Sequence, residues 1–164
     1  MIVLVISDVH DRRGMLTTAL AQGREKGCEA VIFCGDTSSP KTFSLLIDDK
    51  RPLYAVLGNI EHDIEETKRI AKESDHCLLD PNVLTLTLDN RHIAITHYPG
   101  AAQTLAKEKK YDAVFHGHTH RPRIEYQGRV LLGNPGEISG HITGKRSFGV
   151  YDTRTNGFEI VPLL

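Results

Sequence analysis

Short apolar runs alternate with helical periodicities in the first half of the chain. Apolar runs span residues 2–7, 30–34 and 53–57. Such runs are typical of strands that are buried on both faces of a sheet. Between them, apolar residues recur at helical spacing, and the Ser39-Pro40 pair is typical of a helix start. The pattern therefore predicts βαβ units here, with helices around residues 15–20, 43–47 and 64–72.

The second half of the chain has the pattern of antiparallel strands. Leucines at 84, 86 and 88 alternate with threonines, as in a strand with one exposed face. We predict further strands over residues 92–96, 113–116, 123–126, 129–132, 147–152 and 158–161, and a helix over residues 101–110. Together the two halves predict an α/β (α+β) fold, a four-layer α/β/β/α sandwich in which two mixed sheets pack face to face. With no linker or repeat, we expect a single domain over residues 1–164.

Composition narrows the class of protein. The 164 residues are 40% hydrophobic and 25% charged, which is ordinary for a globular domain. The net charge of −1 provides no overall field for nucleic acid or an anionic membrane, so we expect neither as a partner. No apolar stretch reaches the roughly 20 residues that span a bilayer. The three widely spaced cysteines favour a reducing, cytoplasmic location over a disulfide framework. A homo-oligomer stays open.

Side chains that bind metals follow the predicted strands. Five of the seven lie zero to three residues beyond a predicted strand. The other two follow two residues after one of these five. Because ligands bind outside the carboxyl ends of strands in open α/β sheets, we expect these side chains to share one crevice. Oxygen and imidazole donors without thiolate suit Mn²⁺, Fe, Zn²⁺, Ni²⁺ or Co²⁺ better than Ca²⁺. The seven candidates, enough for two ions that share a carboxylate, are Asp8, His10, Asp36, Asn59, His97, His118 and His120.

The order of these residues carries a family resemblance. The motifs are Asp8-Val9-His10, Gly35-Asp36, Gly58-Asn59, Thr96-His97 and Gly117-His118-Thr119-His120. In this order they resemble the calcineurin-like metallophosphoesterases over nearly the whole chain. The later Asn134-Pro135-Gly136 is similar to the small single-domain branch, which includes bacterial and archaeal phosphodiesterases and a retromer subunit.

The resemblance implies a ligand set and an activity. One divalent ion would be held by Asp8, His10, Asp36 and His120, and a second by Asp36, Asn59, His97 and His118, with Asp36 bridging. A metal-bound hydroxide would attack a small phosphate ester, with diesters favoured over monoesters. Asp36 and Asn59 would act in catalysis through that hydroxide. Manganese is the expected metal, with nickel, cobalt, iron, zinc and magnesium as alternatives.

Position 60 departs from the family pattern. Relatives often carry histidine after the Gly-Asn pair, but this chain has Ile60, which cannot transfer a proton. Loss of general acid catalysis typically costs about 10²–10⁴-fold in rate. His62 could substitute, although a surface histidine near a helix start is the simpler interpretation. Ile60 also leaves open a second function, a non-catalytic, metal-binding scaffold for protein partners like the retromer subunit.

Several neighbouring residues have two interpretations. Glu61 either orients a ligand or begins the next helix, and Asn134 either contacts substrate or holds the loops. Asp11 is predicted to cap the first helix. His116 is predicted to pack within its strand, and His141 fits no motif and is predicted to lie at the surface.

Overall fold

A computed structural model describes all of residues 1–164, with eleven strands and four helices. The strands are β1 (Ile2–Ile6), β2 (Ala30–Phe33), β3 (Leu53–Val56), β4 (Cys77–Asp80), β5 (Val83–Leu88), β6 (Arg91–Thr96), β7 (Ala113–Phe115), β8 (Arg123–Gln127), β9 (Val130–Asn134), β10 (Ser147–Asp152) and β11 (Gly157–Pro162). The helices are α1 (Arg13–Glu25), α2 (Pro40–Asp48), α3 (Ile64–Glu73) and α4 (Pro99–Lys107).

The strands form two mixed sheets. The first has six strands in the order β11-β10-β1-β2-β3-β4, of which β1 to β4 run parallel. The second has five strands in the order β5-β6-β7-β9-β8, of which β6, β7 and β9 run parallel. This architecture confirms the predicted α/β sandwich with two mixed sheets. None of the four helices has both the length and the apolar character needed to cross a membrane.

The core lies in three layers because side chains alternate along each strand. In β1, Leu4 and Ile6 pack in the cluster that includes residues of α1 and α2, whereas Val3 and Val5 pack between the sheets. On the far side of the second sheet, residues of β6, β7 and β9 pack against α4. Each fully buried Val, Leu or Ile side chain contributes roughly 1.5–3 kcal/mol. This burial fixes which strand ends face each other.

Two local predictions had different outcomes at helix starts. Ser39 and Pro40 occupy the N-cap and first position of α2, as the sequence indicates. The prediction that Asp11 caps α1 is wrong. Arg12 is the N-cap residue, and Asp11 instead accepts hydrogen bonds from the hydroxyls of Ser39 and Thr42 at the start of α2. Asp11 itself lies in the left-handed region, with a φ of 56°.

The edge strand β4 had no counterpart among the predicted elements. Its residues are partly buried or exposed rather than fully buried, and Leu78 is 55% exposed. It is held by pairing with β3, from Leu53 opposite Cys77 to Val56 opposite Asp80. The pairing is a tertiary contact that short local periodicity does not reveal.

Candidate metal centre

The loops after the parallel strands of both sheets meet at one edge of the sandwich. The loops after β1 and β2 are joined by the amide of Asp8, which donates to the carbonyl of Gly35 at 3.0 Å. The loops after β6 and β7 are joined by Gly117 N and His97 O at 3.1 Å. A bond from His118 N to Asp8 Oδ2, 3.1 Å long, then connects the two sheets. All seven candidate ligands lie in these loops or in the loop after β3.

The backbone of most of these residues is in an unusual conformation. Asp8, His10, Asp36, His118 and His120 have φ values of 55°, 48°, 69°, 69° and 60°. Non-glycine residues rarely adopt this left-handed region, which is costly and concentrates at functional sites. Here the carbonyl of Asp36 accepts from the amides at positions 9 and 10, at 2.9 and 3.1 Å. The strained turns therefore support each other and aim their side chains at a common point.

Two glycines provide space for the carboxylates. A Cβ atom at Gly58 would lie 1.8 Å from Asp36 Oδ1. A Cβ atom at Gly117 would lie 1.9 Å from Ser7 Oγ and 2.7 Å from Asp8 Oδ2. Neither glycine has a positive φ, so both are required by close approach rather than by conformation. In both motifs, therefore, the glycine is needed to avoid a clash with a carboxylate, and the residue after it is a candidate ligand.

Asp8, His10 and His120 form the first part of the site, called here the Asp8 half-site. His120 Nε2 and His10 Nε2 lie 3.3 and 3.9 Å from Asp8 Oδ1. One ligand atom from each residue lies within 4.8 Å of the others. Asp8 Oδ1 and His10 Nε2 are buried without a hydrogen-bond partner. Buried polar atoms are nearly always partnered, so this pair fits a cation that both would bind.

Asn59, His97 and His118 form the second part, the Asn59 half-site. Asn59 Oδ1 lies 3.0 Å from His97 Nε2 and 2.9 Å from His118 Nδ1. The two imidazole nitrogens are 3.3 Å apart. Three donor atoms therefore converge, as a single ion would require.

Asp36 lies between the two half-sites. Its Oδ2 atom is 3.4 Å from His97 Nε2 and 3.6 Å from His10 Nε2. Its Oδ1 atom accepts from the amide of Ile60 at 3.2 Å. The carboxylate is thus held by the backbone on one side and faces both groups of imidazoles on the other. The structure brings all seven predicted residues together around it.

The acidic side chains change how the imidazoles titrate. The nearby carboxylate of Asp8 is the main cause that raises the pKa of His10, with burial opposing it. Burial disfavours the charged form of His97, but hydrogen bonding and the negative charge of Asp36 outweigh it and raise the pKa. Burial likewise opposes ionisation of Asp36, and the contact with His97 still lowers its pKa. The site attracts positive charge, which is the property a cation site needs.

Two histidines are oriented by partners behind them. His97 Nδ1 lies 2.7 Å from the carbonyl oxygen of Cys34, and His120 Nδ1 lies 2.8 Å from Glu137 Oε2. Such contacts turn the Nε2 atoms toward the site. Sequence reasoning missed Glu137. The indication was present, because Glu137 comes three residues after β9, which is parallel to β7, just as the other site residues follow their strands.

Glu61 and Asn134 hold the loops of the site. Glu61 accepts hydrogen bonds from the amides of Asp36, Thr37, Ser38 and Gly58 at 2.9 to 3.2 Å. The helix-start interpretation of Glu61 is wrong, because Asp63 caps α3 through the amide of Glu66. Asn134 is buried and donates to Gly117 O and Thr119 Oγ1, each at 3.0 Å. The loop-holding interpretation of Asn134 therefore agrees with the structure.

Four further residues near the motifs differ in their surroundings. Ile60 is half-buried next to Asn59, and His62 is exposed immediately before the Asp63 cap. His116 is buried just beyond β7, and burial lowers its pKa. His141 is exposed, as predicted, and its ring lies 6.1 Å from that of His10 at an interplanar angle of 25°. The sequence does not link His141 to the site because the contact comes from a distant loop.

The two-sheet sandwich, with candidate metal ligands along one edge, is typical of a class of metal-dependent enzymes. Comparison with a family model shows which family the chain belongs to. The model of the calcineurin-like phosphoesterase superfamily domain matches residues 1–156. The chain therefore belongs to the calcineurin-like phosphoesterase superfamily. The resemblance inferred from the five motifs is thereby confirmed.

Several known proteins are similar to this chain over nearly its whole length. Phosphodiesterase MJ0936 of Methanocaldococcus jannaschii is 27% identical over 161 residues, which are 97% of each chain. A solved archaeal phosphodiesterase has a TM-score of 0.89 at 27% identity and covers 99% of this chain and 100% of its own. The phosphoesterase YfcE of E. coli has a TM-score of 0.72 at 20% identity, and zinc-bound Vps29 of Entamoeba histolytica has 0.69 at 17%; each alignment covers 100% of both chains. The last two likenesses show the shared fold.

Proposed function

We propose that the protein is a metal-dependent phosphoesterase with two divalent ions, and that it prefers phosphodiesters to monoesters. The observation that carries the proposal is Asp36 Oδ2, which lies within 3.6 Å of an imidazole nitrogen from each half-site. A shared carboxylate between two groups of donors is the arrangement that a dinuclear hydrolytic centre requires. The relative named as a phosphodiesterase supports the preference for diesters.

The residues present fit two divalent ions. Asp8, His10, Asp36 and His120 would hold one, and Asp36, Asn59, His97 and His118 the other. Neutral imidazoles and carboxylates without thiolate suit a first-row transition metal, and we propose manganese. Two such ions, when bound, lower the pKa of coordinated water and balance the charge of a phosphoryl group.

The exposed and buried ligands have different tasks. Asp8 and His97 are fully buried at the bottom of the site, whereas Asn59 and His118 are exposed. A small phosphate ester would therefore approach from the side of Asn59 and His118. Ile60 offers no proton to the leaving group, so esters whose leaving group departs without protonation should react best.

Hydrolysis by the metal-loaded chain tests this proposal. We would remove metals, add Mn²⁺, Ni²⁺, Co²⁺, Zn²⁺ or Mg²⁺ separately, and measure hydrolysis of bis-p-nitrophenyl phosphate and p-nitrophenyl phosphate. Asp36→Asn should abolish hydrolysis. The matched control is Asp75→Asn, because the side chain of Asp75 is fully exposed and lies outside the site. Hydrolysis that survives Asp36→Asn, or that needs no metal, would contradict the dinuclear mechanism.

A non-catalytic scaffold is the second candidate function. The observation that favours it is Ile60, which occupies the position where many relatives carry a proton-transferring histidine. The scaffold predicts stoichiometric metal binding with no hydrolysis of either ester by any of the five metals. The same titration and assay therefore separate the two functions.

A further inference from the structure

Glu137 is a buried carboxylate at the centre of a hydrogen-bond network that links two parts of the molecule. Its exposed fraction is 0%. The amides of His141, Ile142 and Thr143 and the hydroxyls of Ser139 and Thr143 all donate to its two oxygens. Because both oxygens already accept from these donors, Glu137 faces His120 as an acceptor.

One side of this carboxylate faces the Asp8 half-site. Glu137 Oε2 lies 2.8 Å from His120 Nδ1, so a neutral His120 carries its proton on Nδ1. The lone pair of Nε2 then points toward Asp8 Oδ1, 3.3 Å away, an oxygen that has no hydrogen-bond partner. Two electron-rich atoms that face each other are unfavourable alone and favourable around a cation. The tautomer that Glu137 selects is thus the one that can bind metal.

The other side of the carboxylate binds the following loop. The amides of His141, Ile142 and Thr143 donate to the two oxygens of Glu137 at 2.8, 3.1 and 2.7 Å. The Thr143 hydroxyl donates to Oε1 at 2.8 Å. This binding holds the loop so that the His141 ring lies beside His10. One side chain therefore connects the order of this loop to the orientation of a candidate ligand.

We propose that Glu137 is a positioning residue that selects the metal-binding tautomer of His120 and connects it to the loop of residues 141–143. The proposal rests on the proposed function only in that it takes His120 as a metal ligand. It does not depend on which ester is hydrolysed, or on whether any is.

The tautomer can be measured in the unmodified protein. Nitrogen-15 NMR of the metal-free chain, at a pH where the His120 imidazole is neutral, should show the proton on Nδ1. A proton on Nε2 would overturn the proposal. This measurement needs neither a variant nor catalytic activity, so an inactive protein would refute the proposed function and leave the inference about Glu137 intact.

Glu137→Gln tests the role in metal binding. Glutamine has one acceptor oxygen where Glu137 has two, so it can accept from His120 and His141 or from Ile142 and Thr143, but not from all four. Either the imidazole must take the other tautomer or part of the loop must detach. Loss of such a partner typically weakens metal affinity about 10–100-fold. We expect that loss in a calorimetric Mn²⁺ titration, together with an altered His120 NMR spectrum. Unchanged affinity and an unchanged spectrum would overturn the proposal.

Thr143→Val is the matched control. It removes a hydroxyl that binds Glu137 Oε1 but leaves the contact between Glu137 and His120 in place. We expect the His120 tautomer and the Mn²⁺ affinity to stay close to wild type. If this variant weakens Mn²⁺ binding as much as Glu137→Gln does, the effect comes from the loop and the positioning role is refuted. If Glu137→Gln does not fold, the tautomer in the wild-type protein still decides.

Discussion

The two half-sites contain similar donors but are built differently. In the Asp8 half-site, Asp8 and His120 are buried, and the carboxylate of Glu137 orients His120. In the Asn59 half-site, Asn59 and His118 are exposed, and a neutral carbonyl, that of Cys34, orients His97. Apart from Asp36, which faces both half-sites, the Asn59 half-site has no charged candidate ligand. Equal numbers of donors can thus give one enclosed, anionic position and one open, nearly neutral position.

Because the half-sites differ in charge and exposure, we expect them to bind their ions with different affinity. A charged carboxylate ligand attracts a divalent cation more strongly than an amide does, and a carboxylate behind an imidazole increases its basicity. We therefore expect the Asp8 half-site to bind its ion more tightly. The open Asn59 half-site should bind the second ion more weakly and admit the ester.

Among the changes that distinguish the half-sites, the largest expected effect is that of removing the carboxylate of the enclosed half-site. Asp8→Asn should lose the tighter of two Mn²⁺ binding events and slow hydrolysis by about a thousandfold, since metal stabilisation of several kcal/mol corresponds to such a factor. Asn59→Ala should lose the weaker event, retain the tighter one and slow hydrolysis less. Calorimetric titration and kcat/KM measurements check both. Loss of the same event in both variants would show that the half-sites do not differ in this way.

Restoring a proton donor beside the open half-site should have the next largest effect. Ile60→His places an imidazole next to Asn59, while the amide at position 60 can still donate to Asp36. Because general acid catalysis typically contributes 10²–10⁴-fold, we expect up to about a hundredfold gain for alkyl phosphodiesters, and little gain for nitrophenyl esters. Ile60→Leu is the control. An equal gain for both kinds of ester would argue against leaving-group protonation.

The pH dependence of stability tests how Asp36 joins the half-sites. The pKa values of His10 and His97 are raised above 6.5 in the folded chain. In the metal-free protein, their stabilising effect should be complete below about pH 6.5 and be lost as the pH rises through the folded values. Metal-loaded protein should show the reverse trend, because metals compete with these protons.

Thermal unfolding from pH 6 to pH 9 measures this difference, at about 2–4 °C per kcal/mol for a chain of this length. Asp36→Asn should reduce the alkaline loss of the metal-free protein, because Asp36 contributes to both raised pKa values. A metal-free Tm that rises between pH 6 and pH 9 would contradict the assignment.

The smallest expected effect is at His62, the sequence-based candidate for the missing acid. His62 is exposed, and its backbone amide, bound to Ser38 O at 2.8 Å, survives substitution. His62→Ala should change kcat/KM by no more than about twofold, as for most surface substitutions, and leave the pH–rate profile unchanged. If the descending limb of the pH–rate profile, which reports a general acid, disappears in His62→Ala, then His62 is that acid.

Much of the site was predictable because its residues follow a local rule. A buried apolar run predicts a strand, and a polar residue just beyond it predicts a place at the carboxyl edge of a sheet. Asp8, Asp36 and Asn59 all obey this rule. Glu137 obeys it as well, but three residues of loop separate it from β9, and no metal-ligand motif marks it.

The sequence by itself determined the two mixed sheets, the donor types and their order, because apolar periodicity and short motifs are local properties of the chain. Only the tertiary structure decided how the donors divide into an enclosed and an open half-site. It also decided that Glu137 lies behind His120 and that His141 lies beside His10. These relations depend on the adjacency of β7 and β9 and on the packing of one sheet against the other, which no local pattern specifies.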